Sequence, residues 1–333
     1  MRLTPNATGA LVALAAFAML ATHDVAIKTL GAHYAAPQIV FFSVLFSFPL
    51  ATILLIGDRS PGTLRPVHPW WTAARTAAGV VSALCAFTAF SLLPLAQTYA
   101  LLFATPLIIT VLSVPVLGER VSPLRWAAVL GGLMGVLIVL RPGGTDLGLG
   151  HAAGITAAVS SAFVAVVMRR IGRDERPVVM LIYPMIANAA VMGAALPWVY
   201  RPMPGDHLAL FAGVALLAFT ATFMIVRAYA SAEATAVAPM QYSQIIWATL
   251  FGTLVFGESM DADTVLGAAV IIGAGLVILF AEGRGDTDVS PVTRTRTPRE
   301  TGLRASTMMR QRGAAGLGMA GRSDIGTALR DDA

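Results

Sequence analysis

The sequence predicts an all-α membrane protein of ten transmembrane helices, arranged as two inverted repeats of five. Three observations predict it. Of 333 residues, 56% are hydrophobic and only 12% are charged, about half the roughly 25% charged share of a soluble domain. Apolar runs of span length recur along the chain, which distinguishes membrane spans from a single buried core helix. A pattern also repeats: Leu117, Gly118 and Glu119 match Phe256, Gly257 and Glu258 at an offset of 139, and the Gly135–Leu140 run matches Gly275–Phe280 at 140. An internal repeat of this kind sets the architecture.

The apolar runs place spans at about 9–30, 37–56, 70–91, 95–117, 122–140, 150–170, 178–199, 207–228, 234–256 and 262–281. Each is long enough, as a helix rising 1.5 Å per residue, to cross a hydrocarbon core of about 30 Å. Gly and Pro punctuate the short connections. Gly31 to Pro37 corresponds to Gly172 to Pro177, so span one matches span six. Five spans is an odd number, so two similar units in one chain must enter the membrane from opposite sides. That is an inverted-topology repeat, common in secondary transporters. The domains follow: 1–8 a cytoplasmic N-terminus, 9–143 and 149–283 the two repeats, and 284–333 a polar tail without periodicity, read as disordered.

Loop charges orient the chain. With a cytoplasmic N-terminus, the inner loops hold Arg2, Arg59, Arg65, Arg120, Arg125, Arg169, Arg170, Arg173, Arg176 and Arg227. The outer ends hold Lys28, Arg141 and Arg201. This satisfies the positive-inside rule and leaves both termini cytoplasmic, in a bacterial inner membrane. The net charge of +5 therefore reflects topology rather than a nucleic-acid partner. A signal-peptide reading of the N-terminus fails, because the apolar segment runs on to Leu30 without a polar cleavage region. The single Cys85 excludes an intramolecular disulfide. No GK[ST] phosphate loop, metal cluster or nucleophile triad is present, so no cofactor and no enzyme is expected.

The repeated pattern resembles the EamA-type family of the drug/metabolite transporter superfamily. The residues that carry it are Pro94 to Gln97, Pro106 to Ile108, Leu117 to Arg120, Pro239 to Tyr242, Phe256 to Glu258, and the glycines Gly267, Gly273 and Gly275. The resemblance covers about residues 9–283. It implies ten helices in two five-helix repeats, cytoplasmic termini, a central cavity between the halves, and transport of a small metabolite. It carries over no common set of ligand residues.

Candidate site residues come from the polar groups inside spans, since a charge at the bilayer centre costs at least about 2.5–3.5 kcal/mol. Asp24 and Lys28 stand one turn apart, acid first, and share a face. They form either a structural ion pair or a substrate anchor or proton site. The neighbouring His23 reads as structural. Gln97, Tyr99 and Thr105 in span four, with Gln241, Tyr242 and Gln244 in span nine, read as cavity lining rather than interhelical glue. Thr105 and Gln244 coincide under the 139-residue repeat and should face each other. Pro106 and Pro239 interrupt the same two spans, though at non-equivalent positions, and either mark a binding region or kink the packing. Arg227 either snorkels outward or gates the inner side with Glu233, and Arg75 reads as snorkelling. Tyr183, Asn188 and Trp247 are further lining candidates. Glu119 and Glu258 read as helix-end fixers. The glycines of spans five and ten form a scaffold or a homodimer surface.

The resulting reading is a secondary carrier of a small polar or amphipathic metabolite, such as an amino acid or nucleoside-type compound. It would work by alternating access, coupled to protons or exchange. The rival readings are a membrane scaffold or sensor, and an intramembrane enzyme. The latter would need paired carboxylates at one depth, where the sequence offers Asp24.

Overall fold

The computed structural model describes residues 4–57, 63–141, 147–172, 174–232 and 234–283. All the regular secondary structure among them is helical. The first half contains α1 (Pro5–Gly31), α2 (Ala36–Gly57), α3 (Pro69–Leu92), α4 (Leu95–Leu102), α5 (Thr105–Leu117) and α6 (Pro123–Leu140). The second contains α7 (Leu149–Ile171), α8 (Pro177–Val199), α9 (Gly205–Ser231), α10 (Ala234–Val237), a 3₁₀ turn at Ala238–Tyr242, α11 (Ser243–Phe256) and α12 (Ala262–Gly283). Nine stretches of the described residues are long and apolar enough to cross a membrane; α4 and α5 together make one of them. The tenth span, 234–256, is cut into α10, the 3₁₀ turn and α11.

Local sequence sets the ends. Thr4 caps α1 by accepting from Ala7 N at 3.3 Å, ahead of a proline at the first helical position. Ser122 does the same for α6, again before a proline. The repeated Leu-Gly-Glu and Phe-Gly-Glu motifs are helix stops. Gly118 and Gly257 adopt left-handed φ values of 71° and 65°, and the following amides, Glu119 N and Glu258 N, bond back to Ser113 O and Gly252 O. A glycine takes that conformation without the steric cost a side chain would carry.

The packing obeys the repeat. α3 lies on α7, and its image pair, α9 on α1, packs as extensively. α2 on α8 and α6 on α12 each join equivalent helices of the two halves. α6 and α12 run antiparallel at very close approach: a Cβ built on Gly135 would stand 2.9 Å from Gly267 O and from Ile271 Cγ1. Lipid gives no hydrophobic gain to helix association, so small residues that let backbones touch supply the van der Waals contact. Gly132, Gly135, Gly267 and Gly275 are thus used within the chain, whereas Gly131 and Gly273 meet nothing within 4 Å. Large apolar side chains such as Leu130, Ile53 and Leu254 point outward, where lipid solvates them.

Candidate functional site

Spans four and nine are broken at the same place. α4 ends at Leu102 and α5 starts at Thr105; the 3₁₀ turn ends at Tyr242 and α11 starts at Ser243. Under the 139-residue repeat, Phe103 is the image of Tyr242. Their rings meet edge to face, 5.3 Å between centroids at 81°. The twofold relation between the halves therefore runs through the two breaks. Pro106 and Pro239 are not equivalent, yet each opens a new helical segment beside this point.

A chain of polar side chains crosses from α1 to this break. His23 Nδ1 stands 2.7 Å from Asp24 Oδ1. The Tyr99 hydroxyl donates to Asp24 Oδ2. Gln244 Nε2 reaches the Tyr99 oxygen at 3.5 Å. Asp24 and Gln244 are each 8% exposed and Tyr99 is 3% exposed, so the chain lies inside the bundle. A carboxylate is an acceptor, so His23 donates through Nδ1; in the neutral ring the other nitrogen is then an acceptor.

His23 lines a cavity of about 190 Å³ between α1, α2, α3, α8 and α9. Ser43, Ser47 and Asn188 add polar groups, and Phe87 and Val214 belong to its apolar wall. Asn188 Nδ2 donates to Pro184 O at 2.9 Å, but Asn188 Oδ1 and Ser43 Oγ are buried without a partner. Ser43 and Ser47, one turn apart in a mostly apolar span, are the signal in the sequence that could have pointed to this wall.

A second cavity of about 310 Å³ opens nearer the start of α4 and the end of α11, lined in part by Gln97, His151, Thr249, Glu258 and Asp261. Gln97 belongs here, 3.1 Å from His151 Nε2, and not to the central chain.

Two of the ion pairs that cross between the halves are images of each other. Lys28 Nζ stands 2.6 Å from Glu258 Oε1 and also donates to Leu93 O. Glu258 Oε2 accepts from Leu95 N at 3.0 Å and so satisfies a free amide at the start of α4. Arg169 pairs with Glu119. Span one matches span six at an offset of 141, so Lys28 and Arg169 are images, as are Glu258 and Glu119. The expected Asp24–Lys28 pair is corrected here. One-turn spacing aligns them, but Glu258 from the facing turn takes Lys28, while His23 and Tyr99 take Asp24.

The remaining candidates scatter. Thr105 is half-buried at the start of α5 and does not meet Gln244, which turns to Tyr99 instead. Gln241 is exposed while Gln244 is buried, because the backbone changes from 3₁₀ to α between them. Tyr242 packs on Phe103, with its hydroxyl against Gly275. Trp247 stacks on Phe251, and its indole nitrogen has no partner. Tyr183 is 37% exposed and donates to Leu64 O, away from both cavities. Arg227 is exposed, over the Phe223 ring at 5.0 Å; its expected partner Glu233 lies outside the described residues. Arg75 is buried rather than snorkelling. Pro184 lacks the amide that would bond Met180 O, and Arg75 Nη1 donates to that carbonyl at 3.0 Å.

Known proteins resemble this chain along most of its length. A riboflavin transporter of Rhizobium johnstonii is 28% identical over 244 residues, 73% of this chain and 79% of its own. An S-adenosylmethionine uptake transporter of Rickettsia prowazekii is 27% identical over 263 residues, 78% and 88% of the two chains. The pseudopaline exporter of Pseudomonas aeruginosa is 24% identical over 274 residues, 81% and 95%. A solved crystal structure shares the fold at TM-score 0.56 and 16% identity, over 85% of this chain and 99% of that one. The chain is thus a multi-pass membrane protein that transports a small molecule and is not an enzyme. The model of the EamA-like transporter family matches twice in tandem, at residues 7–141 and 148–280, and the chain belongs to that family.

Proposed function

We propose that the protein is a secondary carrier of the bacterial inner membrane, with both termini in the cytoplasm. It moves a small polar or amphipathic metabolite by alternating access, with the two inverted halves rocking about the broken spans. The observation that carries this reading is the Phe103–Tyr242 contact between image residues, beside the buried chain His23–Asp24–Tyr99–Gln244. Paired broken helices at a repeat interface are where carriers hold their cargo. A buried carboxylate bonded to a histidine also supports proton coupling, with exchange as the other energy source.

The named cargoes of the relatives are riboflavin, S-adenosylmethionine and pseudopaline, moved by proteins called transporter, uptake transporter and exporter. Such variety at similar identity means that cargo and direction are set by side chains rather than by fold. The test has two stages. Metabolite profiles of cells with and without the protein give candidate substrates, which are then loaded into proteoliposomes. A carrier accelerates exit of labelled substrate when unlabelled substrate is added outside. Absence of that counterflow for every candidate overturns the reading.

A further inference from the structure

The central cavity carries more information than its existence, and the inference here rests on the carrier reading above. Its polar wall offers unpartnered acceptors and no cation, although the Ser43 hydroxyl can also donate. Asn188 Oδ1 is buried and has no partner, in a residue 8% exposed. Ser43 Oγ is in the same condition, also at 8%. His23 donates a hydrogen bond from Nδ1 to Asp24, which leaves the other ring nitrogen as an acceptor when the ring is neutral. None of the described residues lining this cavity is Lys or Arg. Lys28, one turn from Asp24, is committed to Glu258 and Leu93 O.

Two costs follow. A buried acceptor without a donor loses its water and gains nothing in return. A buried carboxylate with hydrogen bonds but no cation is also incompletely balanced. One ligand feature removes both: a positively charged group that carries several N–H donors. The rest of the lining is largely apolar and includes Phe87, Val40 and Val214. The cavity volume of about 190 Å³ is below the roughly 300–1,000 Å³ of sites for drug-sized ligands.

We propose that the central cavity takes a small amphipathic amine in its protonated form. Its N–H groups bond to Asn188 Oδ1, Ser43 Oγ and the His23 ring, Asp24 balances its charge, and its apolar end lies on Phe87. Amino acids and carboxylic acids bind less well, because their carboxylate meets Asn188 Oδ1, the His23 acceptor and the Asp24 charge, with the Ser43 hydroxyl as a donor but no lining Lys or Arg to balance it. This narrows the metabolite class: an amino acid is a worse fit than the amine that remains after its carboxyl group is removed.

Three probes of one skeleton test this: 2-phenylethylamine, phenylalanine and 3-phenylpropionate, titrated into the purified full-length protein. The amine should bind at least about tenfold more tightly than either of the others. Asn188→Leu and Ser43→Ala should each weaken amine binding by about tenfold, the scale of one lost buried hydrogen bond, while unliganded melting temperature stays near that of the original chain. Ser43→Ala is the smaller change and keeps the test alive if Asn188→Leu misfolds. Asp24→Asn should remove the preference for the amine over uncharged 2-phenylethanol. Equal or tighter binding of phenylalanine or 3-phenylpropionate, no binding of any probe, or unchanged amine affinity in both cavity variants overturns the proposal. The two readings fail separately. Selective amine binding without counterflow upholds the ligand class and overturns the carrier; counterflow of another metabolite without amine selectivity upholds the carrier and overturns the ligand class.

Discussion

Phe103 and Tyr242 are the same residue position in the two halves, and their rings touch. Image residues meet only where a symmetry relation passes between them. That places the relation at the breaks of spans four and nine, next to Tyr99 and Gln244. In the proposed rocking of the halves, this contact is the pivot. Replacing Phe103 with Ala removes one ring of the pair and opens a void beside Tyr99 and Tyr242. It should lower thermal stability by about 3 kcal/mol and, in the same assay, change counterflow rate more than an equally destabilising change on the lipid face.

The ion pairs predict a rescue pattern. Lys28→Met leaves the partly buried Glu258 without a cation, and Glu258→Gln leaves Lys28 uncompensated; each should cost about 1–3 kcal/mol in detergent melting experiments. The Lys28→Met, Glu258→Gln double variant should recover most of that loss. Adding Asp24→Asn to Lys28→Met should recover nothing. Recovery through Asp24 would show that Lys28 pairs along its own helix.

The glycine contacts predict an asymmetry. Gly135→Ala pushes a Cβ to within 2.9 Å of Gly267 O, and backbone cannot yield as a side-chain tip can. A loss of about 1–3 kcal/mol is expected. Gly273→Ala meets nothing within 4 Å and should be neutral or slightly stabilising, since alanine is the better helix former. Similar melting temperatures for the two variants would show that α6 and α12 do not pack this closely.

Topology is tested with reporters fused after Gly57, Pro142, Arg173, Pro204 and Gly283. They should read cytoplasm, outside, cytoplasm, outside, cytoplasm. A reporter after Gly283 on the outside would remove the inverted orientation of the halves.

Truncation after Gly283 removes a segment with no apolar face and no counterpart in the first half. Insertion and counterflow should stay near those of the full chain. Loss of flux at normal protein level would assign the tail a partner or a regulatory role.

Much of the fold was determined by sequence alone. Hydropathy located the spans because lipid solvates only apolar helices with internally bonded backbones. The 139-residue repeat gave the two halves, and the Leu-Gly-Glu and Phe-Gly-Glu motifs gave two helix stops, because left-handed backbone there calls for glycine. Tyr99, Gln244 and Asp24 were legible as polar groups that need a reason for being inside. Their partners were not. One-turn spacing pointed Lys28 at Asp24, and equal offset pointed Thr105 at Gln244, but pairing depends on which group from another helix arrives at the same depth. Only the tertiary structure brought Glu258 to Lys28, Tyr99 to Asp24, and Ser43 and Asn188 to one cavity with His23. Those contacts join residues far apart in the chain, and nothing in a helix's own periodicity specifies what stands across from it.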